Sequence, residues 1–165
     1  MSQLSEQLIR ILEREQAIYE EVLALADKKK QIIIDGQLRE LEDITRRETE
    51  IVGILIKLEN LRSQTSEQLA AEKGVKELGT VRELLPLLEP VDQLKVSGLQ
   101  AQLKGTVTAL QNANELNGKL LKQSLELVDF NLNLMSSIGQ MSGGYTGSAS
   151  EKEEPKRSSL FDVKV

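Results

Sequence analysis

The sequence predicts an all-α fold: a long antiparallel helical hairpin, a third long helix that completes a coiled-coil-like bundle, and a disordered C-terminal tail. Three observations predict it. Apolar residues recur at spacings of three and four over most of residues 3–139, which is the period of an α-helix. Asp35-Gly36 interrupts this pattern early, and the pattern stops at Gly139, where low-complexity sequence begins.

The first helix is predicted over about 3–34. Glu15 and Lys29 interrupt its apolar stripe, and no Gly or Pro occurs before Gly36. Alternating spacings of four and three are typical of a coiled-coil seam, and neighbouring apolar residues widen it into a bundle face. The stripe consists of Leu4, Leu8, Ile11, Ile18, Val22, Leu25 and Ile32.

The second helix is predicted over about 37–72. Its apolar residues keep the same spacings of three and four, with Glu48 as the interruption. They are Leu41, Ile44, Ile51, Leu55 and Leu58. Two helices joined by a connection as short as residues 35–36 fold back antiparallel. At 1.5 Å per residue, each arm of the hairpin is on the order of 50 Å long.

A short helical corner is predicted over about 80–89. Thr80-Val-Arg-Glu83 has the pattern of a capping box, in which the Thr and Glu side chains cap the first turn. Pro86 and Pro90 limit this helix to one or two turns. We expect the corner to pack on one end of the bundle.

The third helix, over about 91–139, is the longest. At about 70 Å it outreaches the hairpin if it is continuous. Gly98, Gly105 and Gly118 each cost about 1 kcal/mol relative to Ala in a helix interior, which indicates close helix packing or mild bending. One heptad register holds Val96, Leu99, Leu103, Leu110, Ala113, Leu120, Leu127, Leu134 and Ile138, with Thr106, Asn117, Ser124 and Asn131 as its polar members.

The chain therefore divides into a helical domain over 1–140 and a flexible tail over 141–165. The tail ends in the more apolar segment SLFDVKV, residues 159–165. Its apolar residues form either a short docking motif on a tether or an unconstrained terminus. They are Leu160, Phe161, Val163 and Val165.

The composition excludes most catalytic and nucleic-acid-binding functions. The 165 residues include no Cys, no His and only four aromatic side chains, and the net charge is −5. Thiolate and imidazole chemistry are absent, no cofactor or metal motif occurs, and an acidic chain does not bind phosphate backbone non-specifically. No long apolar run marks a signal sequence or membrane span. We expect a cytoplasmic protein that is not an enzyme.

The distribution of charge differs between the helices. Residues 1–73 carry 15 acidic and 11 basic side chains, whereas 74–139 carry 7 and 6. Glu115 is the only ionised residue within 105–118, and none occurs between Asp129 and Glu151. The third helix is therefore polar mainly through Asn, Gln, Ser and Thr.

The end of the third helix has two apolar stripes on different sides. Packing on the hairpin is expected to bury one stripe, so the other must meet a partner, a second copy or the same helix after a bend. Met and Phe suit a partner surface because they adapt to varied shapes. We name them the 128 stripe, which is Val128, Leu132 and Met135, and the 130 stripe, which is Leu127, Phe130, Leu134, Ile138 and Met141.

Polar residues upstream of these stripes have two interpretations. Asn114 and Asn117 lie one turn apart, and Ser124 follows two turns later. Such residues in a heptad seam fix helix register, or they recognise a polar group of a partner helix. As buried groups they need hydrogen-bond partners in either case.

These patterns together resemble the FlgN family of flagellar export chaperones. The stretch LALADKKKQIIIDGQLRELEDITRRETEIV at 23–52 is similar to the family's basic residues, Asp-Gly turn and Leu-Glu-rich second helix. Residues 114–125 look like its N-x-x-N-x-x-L-L-x-x-S-L signature, which here includes Leu121. The likeness covers about residues 3–140.

The resemblance implies a chaperone that binds the hook-associated proteins FlgK and FlgL in the cytosol, keeps them unassembled, and brings them to the export gate protein FlhA. Family members bind substrate through their C-terminal part, which here is 125–141. A self-associating structural coiled coil or adaptor with no export role is the alternative. The predicted partner-binding residues are Asn114, Asn117, Leu121, Ser124, Leu127, Phe130, Leu134, Ile138 and Met141.

Overall fold

A computed structural model of the protein describes residues 3–76 and 80–141. Four α-helices occur in these ranges, and neither range contains a strand. They are α1 (Gln3–Asp35), α2 (Leu38–Glu72), α3 (Val81–Leu84), which continues into a 3-10 turn at Leu85–Leu87, and α4 (Pro90–Met141). The predicted all-α fold is confirmed. The predicted tail from residue 142 onward, including its terminal motif, lies outside the described residues.

Two glycines end the arms of the hairpin. Gly36, after α1, has φ +67°, and Gly74, after α2, has φ +77°. At the first turn the Gln37 N–H donates to the Ile32 carbonyl at 3.1 Å and the Gly36 N–H donates to Ile33 at 3.2 Å. This pair of bonds is a Schellman motif, in which a left-handed glycine lets the last helical carbonyls find donors.

Helix α1 lies between the other two long helices. It packs against both α2 and α4, while α2 and α4 scarcely contact each other. Gln16 bonds to Thr106, and Asn117 bonds to Ala26, so α4 runs parallel to α1 with residues about 90 apart side by side. The core between these helices includes Leu8, Leu12, Val22, Ile51, Leu69, Leu103 and Leu110, all nearly inaccessible to solvent.

The charged residues that interrupt the apolar stripes form ion pairs across the hairpin. Lys29 Nζ lies 3.1 Å from Glu48 Oε2, which joins the interruption in α1 to the one in α2. Glu15 Oε2 lies 3.1 Å from Arg62 Nη1, with the Glu15 side chain 4% exposed. Each interruption therefore places a charge opposite its counter-ion rather than breaking the helix pair.

The corner is helical as expected, but its capping differs from the prediction. Thr80 is the N-cap residue of α3, yet its side chain makes no capping hydrogen bond. The Glu83 N–H instead donates to the Thr80 main-chain carbonyl at 3.1 Å. Leu84 and Leu88 are buried in the core, so apolar packing is what holds the corner at the end of the bundle.

Helix α4 is continuous through Gly105 and Gly118 and contains 52 residues against 33 in α1. At 1.5 Å per residue these are about 78 Å and 50 Å. We expected either close helix packing or mild bending at the glycines of α4. Among the described residues nothing packs closely on Gly98 or Gly105, since a Cβ atom at either would meet nothing within 4 Å. No helix of the described ranges has the length and hydropathy that crossing a membrane requires.

Candidate partner-binding surface

The C-terminal end of α4 extends past the hairpin. With a residue offset of about 90 between α1 and α4, the end of α1 at Asp35 lies level with about residue 126. Residues 125–141 therefore project beyond the end of α1 by roughly 22 Å. We call this segment the overhang.

Both apolar stripes of the overhang are exposed over residues 127–138. The expectation that the hairpin buries one of them is wrong, because α1 ends before either stripe begins. The exposed fractions of these side chains range from 50% at Leu134 to 68% at Met135. Besides those two, the exposed residues are Leu125, Leu127, Val128, Phe130, Leu132 and Ile138. Eight large apolar side chains on consecutive turns form a contiguous patch, which is typical of an interaction site.

The 128 stripe continues the side of α4 that faces α1. At 100° per residue, Val128 lies on the same side of the helix as the buried residues Val96, Leu103 and Leu110. A partner helix bound to this stripe would lie in line with α1, beyond the residue where α1 ends. The 130 stripe is centred roughly 130° away around the helix axis, so one narrow helix cannot cover both.

Asn117 lies inside the bundle. Its side chain is 3% exposed, and its Nδ2 donates to the Ala26 carbonyl of α1 at 2.8 Å. About three turns earlier in α4, Thr106 accepts a hydrogen bond from Gln16 Nε2 at 2.9 Å. Both bonds hold α4 in one register on α1, which is the structural interpretation of the polar seam residues. Asn117 Oδ1 and Asn114 Nδ2 are buried without a hydrogen-bond partner.

The other predicted binding residues are more accessible. Ser124 is exposed, and Leu121 and Asn114 are half-buried at the border between the bundle and the overhang. Lys119 pairs with Glu115 at 3.3 Å on the surface of α4. Lys122, Glu126 and Asp129 also lie near the border, whereas residues 130–141 contain no ionised residue. Met141 ends the helix. The surface is thus largely apolar, with a polar and partly charged border, and it suits an amphipathic helix.

Two titratable groups between α1 and α2 have raised pKa values. Burial raises the pKa of Glu15 despite the opposing effect of Arg62, and burial together with the Glu15 charge raises that of Tyr19. Glu15 belongs to the ion pair with Arg62, and Tyr19 lies one turn along α1 from it. In the described part of the chain, no cluster of acidic side chains is arranged to hold a metal ion.

The sequence analysis did not identify Leu116 as an exposed apolar residue, and its set of binding residues left out Leu125 and Leu132. Leu116 is 41% exposed on the side of α4 away from α1, and the other two are 64% and 59% exposed. The signal that identifies the overhang residues is the difference in length between the first and third helices, combined with a parallel alignment of the two. The alignment depends on contacts between helices far apart in the chain.

Two comparisons with known proteins identify relatives of this chain. The model of the FlgN family, described as "FlgN protein", matches residues 1–153. A Bacillus subtilis (strain 168) protein described as "Uncharacterized protein YvyG" is 23% identical over 161 residues, which cover 96% of this chain and 97% of that protein. No solved structure matches.

The family match spans the hairpin, the corner and all of α4. Family membership indicates a flagellar export chaperone of a non-enzymatic class that binds flagellar proteins. A projecting apolar helix end is a surface on which another helix can pack. By this match the chain belongs to the FlgN family.

Proposed function

We propose that this protein is a cytosolic chaperone for hook-associated proteins of the FlgK and FlgL type, and that it binds them through the overhang of α4. The observation that carries the proposal is the exposure of eight large apolar side chains on a helix end that projects beyond α1. A terminal helix of the hook-associated protein would bury this surface by helix-on-helix packing.

The proposed contact surface is the exposed set of predicted residues. Phe130 and Leu134 lie at its centre, since they occupy adjacent turns of the 130 stripe and are 62% and 50% exposed. Large side chains at the centre of an interface commonly dominate its binding energy. Asn117 contributes indirectly, because its bond to α1 fixes how far α4 projects.

Binding of this kind explains how a chaperone keeps its substrate unassembled. An amphipathic helix that lacks its assembly neighbours exposes an apolar stripe, which promotes aggregation or early assembly. The overhang, whose ionised residues are Glu126 and Asp129, covers that stripe with few charges to match. Because fully burying each large apolar side chain contributes about 1.5–3 kcal/mol, a few such contacts hold the complex and still permit release.

The test is capture of a FlgK-type or FlgL-type partner by the full-length chain with Phe130→Asp and Leu134→Asp together. We expect at least a hundredfold loss of affinity, because two carboxylates would have to be desolvated in the interface. The matched control is Ile56→Asp with Leu38→Asp, at α2 positions that are 53% and 69% exposed. Circular dichroism should show unchanged helicity in both variants.

Wild-type capture by the Phe130 and Leu134 variant would show that the overhang is not the binding surface. Equal loss in the α2 control would show that any added acidic charge weakens binding. Only selective loss in the overhang variant supports the proposal.

Delivery to the export gate protein FlhA has a separate test. The terminal segment that contains Leu160, Phe161, Val163 and Val165 is our proposed gate-docking motif, and it lies outside the described residues. Deleting 143–165 should weaken binding to FlhA and leave capture of the hook-associated partner unchanged. If neither binding changes, the tail has no docking role.

A further inference from the structure

The 128 stripe stays open in the proposed complex with a hook-associated helix. A partner helix on the 130 stripe leaves it uncovered, because the two stripes are centred roughly 130° apart around α4. Its side chains are large and well exposed: Val128 is 52%, Leu132 59% and Met135 68% exposed. Since an exposed apolar patch of this kind usually marks a contact surface, a second contact is expected on this side of the overhang.

The stripe continues an interface that the chain already forms. Val128 lies on the side of α4 that carries the buried residues Leu103 and Leu110, and α1 packs along this side until it ends at Asp35. Beyond Asp35 the same apolar row is exposed. An occupant there would extend the seam between α1 and α4, and it needs an apolar side about 10 Å long to match the rise from Val128 to Met135.

Residues 159–165 contain an apolar row of similar length. This segment, SLFDVKV, lies outside the described residues and holds Phe161, Val163 and Val165 at spacings of two. In an extended segment, side chains two residues apart point to the same side, and at 3.3 Å per residue these three span about 13 Å. They can therefore lie along the three side chains of the 128 stripe.

The charges of the two surfaces are complementary. The overhang has two acidic side chains, Glu126 and Asp129, and no basic one. Asp129 lies about 60° around the helix from Leu132, at the border of the stripe. Residues 156–165 carry three basic side chains and one acidic one, and Pro155 separates them from the mainly acidic stretch at 151–154. A segment of net positive charge is thus attracted to a helix end of net negative charge.

The length of the connection favours a contact within one chain. Residues 142–158, seventeen in number, join the segment to Met141, and Gly and Ser dominate their first half. A linker of this length and composition has an r.m.s. end-to-end distance of about 21–25 Å, and Leu132 lies about 14 Å back along α4 from Met141. The segment can therefore reach the stripe at an effective concentration of about millimolar, which a second copy at micromolar concentration does not match.

We propose that residues 159–165 cover the 128 stripe of their own chain, as an intramolecular contact that extends the α1–α4 seam past the end of α1. The overhang then has one apolar side covered by its own chain and another, the 130 stripe, open to a hook-associated helix. This division between the two sides rests on the proposed function, whereas the contact itself does not. Because the same segment is the proposed gate-docking motif, FlhA has to displace it from the stripe.

The absence of native Cys allows a direct test. Val163 and Leu132 are the central residues of the two apolar rows, so they meet whichever way the segment runs. In the full-length chain, Val163→Cys with Leu132→Cys should form an intramolecular disulfide at least tenfold faster than Val163→Cys with Leu134→Cys. This control has the same tether, but Leu134 lies about 160° around the helix from Leu132.

A second measurement does not depend on disulfide formation. In a full-length Leu132→Cys chain, adding Phe161→Ser and Val163→Ser should raise the rate of thiol alkylation by iodoacetamide at least threefold, because the cover is lost. The same two changes should leave the alkylation rate of Leu134→Cys unaltered. Since Leu132 and Leu134 are 59% and 50% exposed, neither Cys substitution should disturb the fold.

Equal disulfide rates in the two Cys pairs, or equal alkylation at residue 132 with and without the tail changes, would overturn this inference. If a mixture of single Leu132→Cys and Val163→Cys chains at about 10 μM cross-links as fast as the double variant, the occupant is the segment of a second copy instead. All these measurements are made without partner. Retained capture by the Phe130 and Leu134 variant contradicts the proposed function and leaves this contact standing, so the two are tested apart.

Discussion

Glu15 is a buried carboxylate at a position where the apolar seam of α1 requires a hydrophobic residue. Arg62 of α2 reaches it at 3.1 Å, and the side chains are 4% and 15% exposed. Desolvation nevertheless outweighs the attraction of Arg62, so the pKa of Glu15 is raised above 4.5. Such a pair contributes little net stability, but it disfavours other pairings of α1 with α2, which would leave Glu15 without a counter-ion.

The pH dependence of stability follows from this raised pKa. The folded protein holds the Glu15 proton more tightly than the unfolded chain does, so the stabilisation by protonation is complete below about pH 4.5 and is lost as pH rises through the folded-state pKa. Glu15→Gln removes this contribution. The free energy of unfolding of the wild type minus that of the variant, from urea titrations, should fall as pH rises from 4.5 to 7. A constant or rising difference would contradict the raised pKa.

Asn117 tests whether the polar seam serves register or recognition. Asn117→Ala removes the bond from Nδ2 to the Ala26 carbonyl, and we expect it to lower the free energy of unfolding by about 1–2 kcal/mol. Partner capture should be unchanged at temperatures where the variant is folded. Reduced capture with unchanged stability would show instead that the amide recognises the partner.

The sequence predicts where charged residues interrupt the apolar stripes but not which residues they pair with. The interruptions at Glu15, Lys29 and Glu48 are visible in the sequence, but their pairing is not. The Lys29–Glu48 contact joins residues 19 apart, and the Glu15–Arg62 contact joins residues 47 apart. The relative rotation and register of α1 and α2 decide which charges meet, and the periodicity of one helix contains no information on either.

At the scale of elements, α4 has two functionally different halves. Its first half carries the residues that pack on α1, including Leu103 and Leu110, whereas the overhang contacts no other described helix along most of its length. The sequence predicted a long helix with two apolar stripes at its end. It did not predict that both stripes stay exposed, because that depends on α4 lying parallel to α1 and starting level with it.

A truncation tests whether the overhang contributes to the stability of the helical bundle. Chains that end after Glu126 and after Met141 should unfold with free energies within about 0.5 kcal/mol of each other, because the residues removed between them are mostly exposed. The shorter chain should lose the helical circular-dichroism signal of about 15 residues and all capture of the hook-associated partner. A stability loss above about 1 kcal/mol would mean that the overhang packs on the bundle.

At the scale of the whole molecule, the charged residues are concentrated in the hairpin, and the proposed binding surface lies in the less charged end of α4. The hairpin of α1 and α2 carries most of the charged side chains of the described residues. The buried face of α1 packs against α4. The overhang has little charge and projects beyond the end of α1. Net charge and composition average these two parts together, so only their distribution along the sequence pointed to a binding helix.

The most direct test of this account is amide hydrogen exchange of the full-length protein with and without a FlgK-type terminal helix. We predict that partner binding slows exchange at residues 125–141 by at least tenfold and leaves the amides of α1 and α2 unchanged, since the overhang is the proposed contact. Protection confined to the hairpin, with the overhang amides exchanging as in the free protein, would contradict it.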